Sequence, residues 1–503
     1  MTLAINRTAS ATRGLRAPSV VVIGAGMSGV CMGVKLKQAG IEDFIILEKG
    51  ASVGGTWREN TYPGLTCDVP SHLYQYTFDK NSEWSHLFSP QPEIESYFSG
   101  AAERFGIVPH IRFGEEVLEA VFEGTAWRVK TSKGEYTADF LVAASGVLHK
   151  PRMADIPGID KFEGALFHSA RWDHSVPLDG KRVAVVGTGS TGVQIVSALQ
   201  KRGIDVTLFQ RTPQWVMPLP NPPTGPVVRL LLRKVPLLDN VFYWTMRQFF
   251  GIFAQATIQP DSWKYKLIDT MCRWNLRTVR DKQLRAKLTP PDKPMCKRMV
   301  MHPSFYRRMQ QPNVRLVTEG VDHIEQRGVV TKDGELHEAD VIAMCTGFDP
   351  QAFVQPVDLV GEDGRTLSQT WQASGGPRAY RTVALPGFPN FFFIMGPHSP
   401  VGNFSLVAVA ETQAKYIMRW IDRWREGQFD TAAPKQSVTD AYNAEIKEAS
   451  KSTIWNSGCN SWYLGKDGLP ELWPWTPWAH EEMLADIAEH EFVLVKNPPT
   501  TSA

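Results

Sequence analysis

The sequence lacks the paired cysteines of a metal or dithiol centre. Its six cysteines (Cys31, Cys67, Cys272, Cys296, Cys345 and Cys459) are widely spread and form no CxxC pair. This argues against a zinc ribbon or thioredoxin-type motif, and no bound metal is predicted. Reduced thiols in a cytoplasmic chain are the simplest account. No uninterrupted run of about 18 apolar residues occurs, so no membrane-spanning helix is predicted. Charge of one sign is also scarce: 54 Lys and Arg face 52 Asp and Glu, which argues against a nucleic-acid-coating protein. The first 17 residues hold three Arg, no acid and no apolar stretch like that of a secretory signal, and they read as a flexible arm. What remains is an ordinary folded composition, 43% hydrophobic and 21% charged, in a chain of 503 residues. At very roughly 150 residues per unit, it has room for about three.

Two segments start in the same way. Ser19-Val20-Val21-Val22-Ile23 is a β-branched run expected of a buried parallel strand. Gly24-Ala25-Gly26-Met27-Ser28-Gly29 follows, then a helical stretch to Gln38 and a second strand, Phe44-Ile45-Ile46-Leu47, ending in Glu48. This is a βαβ unit with GxGxxG at its first turn. Gly24 allows the turn, Gly26 lets a pyrophosphate approach, and Gly29 lets helix and strand lie close. The helix N-terminus offers N–H groups to phosphate. Glu48 can accept the ribose hydroxyls.

The pattern recurs at Arg182–Val186, Gly187-Thr188-Gly189-Ser190-Thr191-Gly192, a helix to about Lys201, and the strand Val206–Phe209. Here the strand ends in Gln210-Arg211, with no acid. A carboxylate there would repel a 2′-phosphate, whereas Arg211 can pair with one. The first site therefore suits FAD and the second NADPH. Two further buried runs, Ala138–Gly146 and Ala339–Gly347, read as strands that close the two sheets. The fold class expected is α/β, with two Rossmann-like dinucleotide-binding domains.

Two further motifs carry a resemblance. Gly54-Gly55-Thr56-Trp57 with Tyr62-Pro63-Gly64-Leu65-Thr66-Cys67-Asp68 fits GGxWxxxx(F/Y)PGxxxD. Phe162–Asp173 fits FxGxxxHxxxW followed by Asp or Pro, with His168, Trp172 and Asp173 in their places. Together they resemble the paired fingerprints of type I Baeyer–Villiger monooxygenases, within the class B flavoprotein monooxygenases. The likeness runs from about residue 18 to about 480.

The resemblance implies an NADPH- and O2-dependent enzyme with bound FAD that converts a ketone to an ester or lactone. The oxidant would be a C4a-peroxyflavin stabilised by an arginine. It places that catalytic arginine at Arg298, in Cys296-Lys297-Arg298, with Asp68 as its partner; Met299 stands where many relatives have proline. Gly55, Thr56, Trp57 and Asp68 would line the flavin site. Lys297 and Thr212 would join Arg211 around the 2′-phosphate, and Trp462, in Trp455–Tyr463, would cover the nicotinamide.

The domains implied are a FAD-binding domain over 1–153 and 350–503, and an NADPH-binding domain over 154–349 with a helical insertion at about 222–289. The insertion reads as packing on its own domain, with a membrane surface or partner face as the alternative. Met301, Phe348, Trp371 and the 395–405 loop are expected to form the substrate wall. A monomer or weak homo-oligomer is expected. Competing functions are oxygenation of N or S by the same scaffold and a flavin-dependent reductase.

Overall fold

The computed structural model describes residues 15–402 and 404–496. Residues 1–14 of the expected arm lie outside them. Arg16, within the same arm, is not loose: its guanidinium stacks 4.0 Å over Trp424, donates to the Trp424 and Phe429 carbonyls and pairs with Asp430.

Two five-stranded parallel sheets form the frame. The first runs in the order Phe391–Phe393, Phe140–Ala143, Val20–Ile23, Phe44–Glu48, Ile111–Phe113. The second runs Val314–Val317, Asp205–Phe209, Arg182–Val186, Val341–Met344, Ala165–His168. The inner strands are continuous apolar runs because layers of structure cover both faces. Val20–Ile23 and Phe140–Ala143 are buried at every position. In register, Val20 lies opposite both Phe44 and Phe140, and Val183 lies opposite both Val206 and Val341.

The strands Phe140–Ala143 and Val341–Met344 lie inside their sheets rather than closing them as expected; each is preceded by an Ala-Asp pair, and the acid pins the neighbouring strand. Asp139 accepts hydrogen bonds from the Ser19 amide and hydroxyl, both at 2.8 Å. Asp340 accepts from the Arg182 amide at 2.8 Å and pairs with its guanidinium. The recurrence of this pair is therefore structural, since it fixes where the first strand of each unit begins.

Between the strand Val216–Met217 and residue 288 lie four helices, Pro226–Lys234, Pro236–Ile258, Trp263–Arg277 and Lys282–Lys287. Among the described residues, no helix is long and apolar enough to cross a membrane.

Candidate active site

Both glycine loops open into one cleft of about 1500 Å3. That exceeds the roughly 300–1,000 Å3 of an ordinary small-molecule pocket. Its shape comes from close packing behind the loops. A Cβ on Gly29 would stand 1.8 Å from the Gly24 carbonyl oxygen, and one on Gly192 would stand 2.1 Å from that of Gly187. Only glycine lets the helices Met27–Gln38 and Ser190–Lys201 seat this tightly on their turns. A Cβ on Gly189 would instead meet nothing within 4 Å, so the middle of the second loop faces open space. The helix N-termini thus present backbone N–H groups to the cleft, as a pyrophosphate requires. The residues present fit two dinucleotides.

At the first strand end, Glu48 lines the cleft. Its carboxylate accepts from the Ala25 and Gly50 amides at 2.8 and 2.7 Å and from Arg58 at 3.0 Å. The sequence reading did not find Arg58. Gly55, Thr56 and Trp57 continue this wall, and the Trp57 indole N–H donates to the Tyr74 hydroxyl at 3.1 Å.

At the second strand end, Arg211 is exposed and lines the cleft together with Thr212, Glu319 and Lys332. Thr188 donates to the Thr212 carbonyl at 2.7 Å, which joins the glycine loop to the strand end. Lys332 was missed because it follows a remote hairpin strand, Gly328–Thr331, and no local pattern marks it. Lys297 lines the cleft but is not a free cation, since Asp292 pairs with it at 2.6 Å.

Asp68 and Arg298 meet between the two ends. The Tyr62 hydroxyl donates to Gln194 at 3.0 Å, and the Gln194 amide donates to the Thr66 carbonyl at 3.1 Å. These bonds tie the Tyr62–Asp68 segment to the helix of the second unit. Asp68 then receives a 2.8 Å hydrogen bond from the Arg298 guanidinium. Attraction to Asp68 outweighs burial and holds Arg298 above the ordinary arginine range, so it is cationic at every working pH. Phe250, Phe253, Met295, Met301 and Phe404 line the same cleft. In these apolar surroundings, a fixed cation acts more strongly than in water.

Cys296, two residues before Arg298, is disulfide-bonded to Cys459, with Cα atoms 6.2 Å apart. This corrects the expectation that all six thiols are reduced. The two residues are 163 positions apart, so no spacing rule pairs them. The bond ties the arginine segment to the loop bearing Trp462, whose side chain lines the cleft. Cys31, Cys67, Cys272 and Cys345 are free and buried.

His168 takes a structural place, and one other expectation, for Trp371, changes. His168 is a linker residue: Nε2 donates to the Gly347 carbonyl at 3.0 Å, and Nδ1 accepts from the Ala170 amide at 3.1 Å. Burial lowers its pKa, in keeping with a neutral ring. Trp371 is not a cleft wall. It packs against Phe353 and Phe393 and donates to the Arg378 carbonyl. Met301, Phe348, Met395 and Val401 do line the cleft. Among the described residues, no cluster of three or more His, Cys, Asp or Glu could hold a metal ion.

Residues 21–224 match the family model described as pyridine nucleotide-disulphide oxidoreductase. An uncharacterised monooxygenase of Mycobacterium tuberculosis is 53% identical, over 95% of this chain and 96% of the relative. A Baeyer–Villiger monooxygenase of Streptomyces coelicolor is 39% identical, over 94% of this chain and 92% of its own length. The crystal structure of OTEMO in complex with FAD and NADP superimposes with a TM-score of 0.85 at 28% identity, covering 95% of this chain and 99% of that one.

Proposed function

Because this chain belongs to the Baeyer–Villiger monooxygenase family of flavoproteins, we propose that it uses NADPH and O2 to convert a ketone to an ester or lactone. The single observation that carries this reading is the Asp68–Arg298 pair, 2.8 Å apart in the cleft that both glycine loops share. Of the described residues, those before 154 and after 349 form the FAD domain, and 154–349 form the NADPH domain.

Gly24, Gly26 and the N-terminus of the helix Met27–Gln38 hold the FAD pyrophosphate, with Gly29 seating that helix on its turn, while Glu48 faces the ribose. Gly187, Thr188, Gly189, Ser190 and Thr191 hold the pyrophosphate of NADPH, with Gly192 seating the helix Ser190–Lys201 on its turn. Arg211, Thr212 and Lys332 face its 2′-phosphate. Bound FAD, once reduced by NADPH, supplies the oxygen-activating chemistry.

The protein's part is electrostatic and positional. Arg298 sets a permanent positive charge where oxygen becomes negative, first on the activated oxygen and then on the former carbonyl oxygen of the ketone. Asp68 orients the guanidinium. The apolar wall keeps water from competing for the charge. Trp462 closes the nicotinamide side. The remaining walls, Phe250, Phe253, Met301 and Phe404, suit an apolar ketone.

The test supplies the FAD-loaded protein with NADPH, isotopically labelled O2 and a panel of ketones, amines and sulfides. One labelled oxygen atom is expected in an ester or lactone. Arg298→Ala is expected to keep oxidising NADPH but to release hydrogen peroxide, with ester formation down by about 10²–10³. Label found only in N-oxides or sulfoxides, or ester formation untouched by Arg298→Ala, overturns the ketone reading.

A further inference from the structure

The helical insertion leaves an apolar surface uncovered. More than half of the large hydrophobic side chains exposed among the described residues lie between Val227 and Trp274. They follow the helix period. On the helix Pro236–Ile258, the exposed residues Leu237, Val241 and Trp244 recur one turn apart, while Tyr243, Arg247, Phe250 and Ala254 form the buried stripe. On Trp263–Arg277, the exposed stripe is Trp263, Leu267 and Trp274, and the buried one is Ile268, Cys272 and Asn275. Pro226–Lys234 buries only Leu232 and exposes Val227 and Leu230. Exposure reaches 67% at Val227, 70% at Leu237, 65% at Trp263 and 62% at Trp274. A surface helix normally turns polar residues outward, so these outer stripes are built for a partner.

Charge identifies the partner. Residues 226–280 carry nine Lys and Arg against three Asp and Glu, a local +6 in a chain whose total is +2. Asp239 is buried and pairs with Lys80, Asp269 pairs with Arg273, and Glu83 and Glu481 from outside the segment pair with Arg233 and the buried Arg247. Lys234, Lys266 and Arg277 are exposed beside the apolar stripes. A two-fold contact between copies would set these like charges against one another. An anionic lipid surface takes both features together: the apolar stripes enter the headgroup–acyl boundary, tryptophans favour that depth, and lysines and arginines reach the phosphates.

We propose that the outer face of the helices Pro226–Lys234, Pro236–Ile258 and Trp263–Arg277 docks peripherally on an anionic lipid bilayer. The helices lie along the surface and do not cross it. Phe250 and Phe253, on the opposite side of the middle helix, line the cleft, so the docking face and the cleft are two sides of one helix. Docking of this face does not depend on which substrate is oxidised.

The test floats the full-length, FAD-loaded protein with vesicles of phosphatidylcholine alone or mixed with phosphatidylglycerol. The protein is expected to float with the mixed vesicles, less so at high salt. Leu237→Glu and Trp274→Glu, both at open positions, are expected to weaken flotation by roughly tenfold or more while leaving melting temperature and flavin absorbance unchanged. Failure to float, flotation insensitive to these substitutions, or equal binding to both vesicle types overturns the proposal. So does a dimer, seen by light scattering, that the same substitutions split without any vesicle binding; that result assigns the face to a second copy.

Discussion

A Cβ placed on Gly64 would stand 2.9 Å from the Gln194 carbonyl oxygen and 2.8 Å from the Ala198 Cβ. The turn ahead of Asp68 is thus pressed onto the helix Ser190–Lys201, in a left-handed conformation with φ +82°. Gly64→Ala adds conformational strain of about 1–2 kcal/mol and pushes the turn off the helix. Asp68, four residues on, then moves relative to Arg298. The melting temperature of the loaded protein should fall. The ratio of ester formed to NADPH consumed should fall with it, as peroxide escapes. An unchanged ratio would show that Asp68 holds its place without this contact.

The two glycine loops and their strands were legible in the sequence because their geometry is local: a turn, a helix start and a strand lie within about 30 residues. The Ala-Asp pairs were visible as a recurring lead-in, but their hydrogen bonds to Ser19 and Arg182 needed the fold. The nearness of Asp68 to Arg298, 230 residues away, came only from the family resemblance, since no periodicity carries it. Lys332, Arg58 and the Cys296–Cys459 bond were invisible for the same reason. The insertion was read as helical, but the helix Pro236–Ile258 is apolar on two sides. Periodicity cannot tell which apolar stripe is covered.

The cations at the second strand end should divide by whether they are already neutralised. Arg211→Ala removes a charge-assisted bond to a 2′-phosphate, worth about 1.5–3 kcal/mol, or roughly 10–100-fold in KM for NADPH. The KM for NADH should hardly change. Lys332→Ala should act in the same direction. Lys297→Ala should have a smaller effect, because Asp292 already holds that ammonium at 2.6 Å. Steady-state kinetics with both nucleotides checks all three. If Lys297→Ala proves as damaging as Arg211→Ala, the ammonium leaves Asp292 when nucleotide binds.

The Cys296–Cys459 bond should stabilise the protein and restrain the loop over the cleft. Closing so long a loop contributes up to about 5 kcal/mol through the unfolded state. Cys459→Ser should therefore melt at a lower temperature. Its melting temperature should not respond to dithiothreitol, whereas that of the parent protein should drop toward it. Amide exchange around 457–463 should quicken in both reduced proteins. Equal exchange with and without the bond would mean that Trp462 is positioned by packing alone.

Glu471 should set part of the acid limit of stability. Burial pushes its pKa up, but His398 at 2.7 Å, Lys447 at 2.7 Å and Arg378 at 3.0 Å outweigh burial and hold it at about 2. The folded value lies below the unfolded one, so the stabilisation is complete above about pH 4.5 and is lost as pH falls toward about 2. The group has a structural reach, since the Glu471 amide donates to the Tyr463 carbonyl at 2.7 Å, beside Trp462. Protonating Glu471 would loosen three cationic or hydrogen-bonding partners and the loop edge together. Glu471→Gln should melt lower at neutral pH, and its melting temperature should fall less steeply between about pH 5 and 3. Melting curves of both proteins across that range decide it. A constant gap between them would place the acid sensitivity in other groups, with the buried His480, held at about 3 by burial, as the next to replace.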